Sequence, residues 1–150
     1  MANNNKIKAV ENKKADALEL LMAVDNSNFA RAKKQIKMER LSKMIGQDFI
    51  VTIEEILPAC AESILDVCME IKADGSVKMN SRKLQNMTII ESVLYNGASL
   101  FKNERLMKKF GVRIPTDLLE KITTKNEREE LYNLIEGLGG GEVLFSDVKN

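Results

Sequence analysis

Histidine is missing from all 150 residues, which removes the commonest general base, proton shuttle and metal ligand together. A zinc site would then need thiolates or carboxylates alone, and Cys60 and Cys68, eight residues apart, match no closed site. On one helix that spacing puts them about 12 Å apart, beyond the roughly 7 Å within which a disulfide closes. They read as small apolar core residues. Long apolar runs are missing as well: MTII and VLF fall far short of the roughly 20 residues that cross a bilayer. The opening MANNNKIKAVENKK has no apolar stretch of the kind an export signal carries, so the cytoplasm is expected. Nor is there an excess of one charge. With 23 basic and 22 acidic residues the net charge is +1, too little to draw the whole molecule onto nucleic acid or an anionic membrane.

Apparent catalytic motifs are weak. GGGEV looks like a phosphate-binding loop but has no Lys and Ser or Thr after it, and it lies too near the C-terminus for a helix to follow. Ser42 beside Lys43, and Glu54 beside Glu55, are sequence neighbours that point to different sides of a helix or strand. No enzyme, metal or cofactor is expected, which leaves a protein that works by binding other proteins.

What is present is an apolar content of 44% and a charged content of 30%, the composition of one domain with a real core. Residues 1–14 are polar and amide-rich and read as a disordered tail. Residues 15–138 read as one helical domain, and 139–150 as a flexible glycine-rich tail in which Val143, Leu144 and Phe145 form an apolar hook. The predicted fold is mainly α, with five to six helices and a minor two-stranded β element at about residues 35–53. ADALELLMAVD makes a short helix stopped by DNSN. Alternation in QIKME and FIVTI makes the two strands, and RLSKMIGQD between them is a helical turn or a loop closed by Gly46. Helical spacing then runs from Leu57 through Ile71 and again from Ser81 to Asn96, with Gly97 as its C-cap. Three short helices follow: one capped by Asn103 and ended by Gly111, one opened by Pro115, and KNEREELYNLIEGL.

Two features bear on nucleic acid. Arg31, Lys33, Lys34, Lys37, Arg40 and Lys43 form a basic run, but with Phe29 as their only aromatic companion they fit a solvated face or an acidic protein partner better than phosphates. ERLMKKFGVRIPTDLLEKI resembles a helix-turn-helix, yet Pro115 falls in the first turn of the would-be recognition helix, and Asp117 and Glu120 would face phosphates. A small DNA-binding regulator and a generic helical adaptor therefore remain as alternatives, with nucleic acid disfavoured. The eight methionines suit either gap-filling in a core or an adaptable binding surface.

The order of ALELLMAVD, IKMERLSKMIGQDFIVTIEEIL, LYNGASLFKNERLMKKFGVRIPTDLLEKI, EREELYNLIEGLGG and the closing DVKN resembles the XkdN-like phage tail assembly chaperones from roughly Leu18 to Asn150. The family pattern falls on Arg40, Leu41, Ser42 and Lys43, on Leu106, Met107, Lys108, Phe110, Gly111, Pro115, Leu118 and Leu119, and on Leu131, Ile135, Val148, Lys149 and Asn150. ITTKNERE replaces the family's usual apolar link. The resemblance implies a factor in the bacterial cytoplasm that binds the tape measure protein, helps recruit tail tube protein and is absent from the mature virion. It also implies a longer frameshifted product; a homo-oligomer is left open. Candidate partner contacts are Leu106, Met107 and Phe110, the hook at Val143, Leu144 and Phe145, and the cations Arg40 and Lys43.

Overall fold

Phe49, Val51 and Ile53 recur at every second position, and this period of two places their side chains on one side of a strand. The computed structural model describes residues 16–139 and 145–148 and divides the chain into two units, Met1–Ala30 and Arg31–Asn150.

In the first unit, helix α1 spans Ala17–Met22 and buries none of its residues. A 3-10 turn follows at Asn26–Phe29, started by Asp25, whose carboxylate accepts the Ser27 N–H at 2.8 Å. That hydrogen bond holds the Asp25 pKa below its ordinary value.

The second unit starts with strand β1, Lys33–Lys37, which pairs antiparallel with β2, Ile50–Glu54, so that Ile36 faces Val51 and Lys33 faces Glu54. Helix α2, Glu39–Ile45, forms the connection between them. It is held by a buried serine: Ser42 Oγ donates to the Met38 carbonyl at 2.7 Å and accepts the Phe49 N–H at 2.8 Å. Gly46 ends the helix with φ of 86°, a left-handed conformation that costs a side-chain-bearing residue strain. RLSKMIGQD is thus a helix with a glycine cap.

Helix α3, Pro58–Cys68, opens on a proline that needs no N–H partner in the first turn. It stops three residues before Ile71, because Met69–Ile71 (β3) pairs with Val77–Met79 (β4) around Gly75. The same occurs after α4, Ser81–Ser92. Val93–Tyr95 (β5) pairs with β2 on one edge and with Ala98–Ser99 (β6) on the other. Asn96 and Gly97 lie between β5 and β6 with φ of 51° and 82°, the pair of positive values that a tight two-residue hairpin of the primed type demands. A 3-10 turn at Leu100–Lys102 leads to α5, Glu104–Lys109, then α6, Pro115–Ile122, and α7, Lys125–Glu136. Thr124 and Glu127 cap α7 reciprocally.

The mainly-α expectation with one minor two-stranded element is therefore wrong. Among the described residues the protein is mixed α and β: seven helices, a four-stranded antiparallel sheet in the order β1-β2-β5-β6, and the separate hairpin β3-β4. Short apolar runs such as VLY fit either period, and pairing with β2 decides for strand.

Val51, Ile53 and Val93 of the sheet share one core with Ile89 and Ile90 of α4, Phe101, Leu118 and Leu119 of α6, and Leu131 and Ile135 of α7. At the end of α4, Ser92 Oγ donates to the Glu54 carbonyl at 2.5 Å and ties that helix to β2. Cys60 and Cys68 are free thiols; Cys68 is buried, and burial raises its pKa. The tail expectation for residues 1–14 lies outside the described residues, as do 140–144 and 149–150 of the C-terminal segment.

Candidate partner-binding groove

Helix α2 presents Leu41, Met44 and Ile45 along one face, and α5 presents Leu106, with Phe110 one turn on at its C-cap. Between these faces runs a groove of about 800 Å³. Phe49 just before β2, Tyr95 and Ala98 from the sheet, Leu100 from the 3-10 turn and Ile122 from the end of α6 complete its apolar lining. The floor rests on the core, since Leu41, Phe49, Leu106 and Phe110 pack against it. The rim is open: Met44 is 72% exposed, Ile45 52% and Tyr95 47%. Phe49 and Tyr95 stack with ring centroids 5.7 Å apart and planes 15° from parallel. Their offset contact stiffens the sheet side of the groove, while Met44 on the opposite side is a flexible thioether.

Leu106 and Phe110 thus lie in one groove, and Met107, between them in sequence, packs against the core without lining it. Arg40 serves the fold: its Nε lies 2.8 Å from Glu127 Oε1, and its Nη2 donates to the Ile122 carbonyl at 2.5 Å, joining α2 to the α6–α7 junction. Lys43 is exposed and has no ion-pair partner among the described residues. Phe145 is 90% exposed and apart from the groove lining; Val143 and Leu144 lie outside the described residues. Sequence reasoning missed Leu41, Met44, Ile45, Tyr95 and Ala98. The Asn96–Gly97 turn was the available signal, because it puts Tyr95 opposite Ala98.

The basic run does not make a single cationic face. Arg31 and Lys33 reach Glu54 at 2.5 and 3.8 Å, Lys37 reaches Asp48 at 2.9 Å and Glu39 at 3.7 Å, and Arg40 reaches Glu127. The hydrogen bond and charge of Asp48 raise the Lys37 pKa. In the helix-turn-helix candidate, α6 turns Leu118 and Leu119 fully into the core. Among the described residues no group of three His, Cys, Asp or Glu could hold a metal ion, and no helix is long and apolar enough to cross a membrane.

A family model described as phage XkdN-like tail assembly chaperone protein matches residues 18–148. The chain belongs to this family of tail assembly chaperones. No curated protein and no solved structure matches it. The matched span contains every residue of the groove, so the chaperone domain and the groove coincide along the chain. The family is one of assembly factors, and its role is in assembly of the phage tail.

Proposed function

We propose that this chaperone binds the tape measure protein and helps recruit tail tube protein before the tube polymerises, acting in the cytoplasm of the bacterial host and leaving before the virion matures. The observation that carries the reading is the groove between α2 and α5: apolar, open along its length and backed by a rigid core. A long helical client carries apolar stripes that would aggregate if left in water. An amphipathic helix laid in such a groove buries its stripe. Each fully buried leucine or methionine side chain contributes about 1.5–3 kcal/mol before the cost of ordering both partners. A single contact is therefore weak, which suits a factor that must come off again. Many contacts along one client supply the avidity.

The test is co-expression with the tape measure protein encoded in the same genome, followed by purification in gentle salt. The expected result is a complex that Met44→Glu weakens, because the exposed Met44 position accepts a carboxylate without disturbing the fold but sets it in the path of an apolar stripe. Absence of any complex with the native chain contradicts the reading.

A further inference from the structure

The groove carries charge of one sign. Among the described residues, Arg105 and Lys109, one turn apart on α5, are its only charged lining residues, and no carboxylate lines it. Both are exposed, and neither has an ion-pair partner among the described residues. Some other cations of this unit lie close to acids, Arg31 and Lys33 to Glu54, Lys37 to Asp48, Arg40 to Glu127, Arg82 to Glu120 and Lys102 to Glu91, while others such as Lys34 and Lys43 have no ion-pair partner among the described residues. What sets Arg105 and Lys109 apart is their place in the groove lining. Lys109 sits in the last turn of α5, where a cation complements the helix dipole. Arg105 does not. It is the second residue of the helix, at the end where the dipole opposes a positive charge, so α5 itself gains nothing from it.

We infer that the groove selects helical segments whose apolar stripe is flanked by carboxylates, with Arg105 and Lys109 reading the acids while Leu106 and Phe110 take the stripe. The guanidinium of Arg105 can grip one carboxylate through two parallel N–H donors, and Lys109 meets a second acid one turn away as a point charge. The spacing of the two cations matches acids three or four residues apart on the bound helix. The inference rests on the groove as the client site and names the chemistry of the segment it takes.

Two synthetic peptides test it, each with leucines at a helical repeat and one tryptophan; one has glutamates flanking the stripe and the other lysines. The protein contains no tryptophan, so the peptide signal is free of background. Exposed ion pairs of this kind predict that the full chain binds the glutamate peptide about fivefold to tenfold more tightly at low salt. The preference should fade at about 0.5 M salt, where screening extends only a few ångströms. The double variant Arg105→Glu with Lys109→Glu should reverse the preference, and a reversed preference also shows that the variant is folded. Equal binding of the two peptides overturns the inference, as does a preference indifferent to the double variant. So does a dimer of the chain that occupies the groove and is broken by the same substitutions. If the tape measure protein co-purifies but the peptides are not discriminated, this inference fails alone. If the discrimination holds but no complex forms, the tape-measure reading fails alone.

Discussion

Phe49 and Tyr95, 46 positions apart in sequence, stack in an offset, nearly parallel arrangement with ring centroids 5.7 Å apart. Phe49 is the residue that ends the α2 connection, and Tyr95 is the last residue of β5, so the pair forms only when the sheet is assembled. One ring rests on the core and the other is half exposed at the groove rim. A partner that fills the groove must therefore meet Tyr95.

Tyr95→Trp should keep the stack and place the only tryptophan of the chain at that rim. Its emission is expected to move to shorter wavelength when the tape measure protein binds and water leaves the ring. Tyr95→Ala should cost about 1 kcal/mol of stability, as for an exposed aromatic pair, while lowering partner affinity by about tenfold. Fluorescence titration and thermal unfolding separate the two effects, and equal loss in both would remove Tyr95 from the binding surface.

Arg40 and Glu127 should show energetic coupling although they lie 87 positions apart in sequence. The same Glu127 oxygen also accepts the Thr124 N–H at 2.8 Å, so the carboxylate caps α7 and anchors α2 together. Arg40→Ala is expected to destabilise the protein by about 1–2 kcal/mol, most of it from the unpaired Ile122 carbonyl and the half-buried ion pair. A double-mutant cycle with Glu127→Gln, read by denaturant unfolding, should give a coupling of about 0.5–1 kcal/mol. Full additivity would mean that the pair is held by its surroundings.

Cys68 should set a slope in stability at high pH. Burial raises the thiol above its ordinary value of 9.0, so the folded chain keeps a proton that the unfolded chain gives up. The stabilisation is complete below about pH 9 and is lost as pH rises through the folded value. Cys68→Ala should flatten that part of the unfolding profile relative to the native chain. An unchanged slope would assign it to other groups.

The sequence made parts of this fold legible and hid others for identifiable reasons. Two helix starts were readable, since Asn103 accepts the Leu106 N–H at 3.0 Å and Pro115 opens α6, whereas the capping box of Thr124 with Glu127 went unread within ITTKNERE. β1 and β2 were readable from alternation at Ile36, Val51 and Ile53. The strands Met69–Ile71 and Val93–Tyr95 were not, because three apolar or mixed residues after a helix continue its period as well as they begin a strand. Asn96–Gly97 carried the stronger signal there, and reading Gly97 as a helix cap concealed it. Leu106 and Phe110 could be singled out from the sequence, but the α2 wall could not, since Leu41, Met44 and Ile45 reach the groove only through the long-range clamp at Arg40 and the pairing of β2 with β5.

Hydrogen exchange on the chaperone, alone and in complex with the tape measure protein, would show whether the groove between α2 and α5 is the client site. Groove occupancy predicts new protection in three separated segments, Leu41–Phe49, Tyr95–Ser99 and Arg105–Phe110, and little change in the exposed hairpin Met69–Met79. Protection confined to that hairpin, or absent from all three segments, would contradict the account.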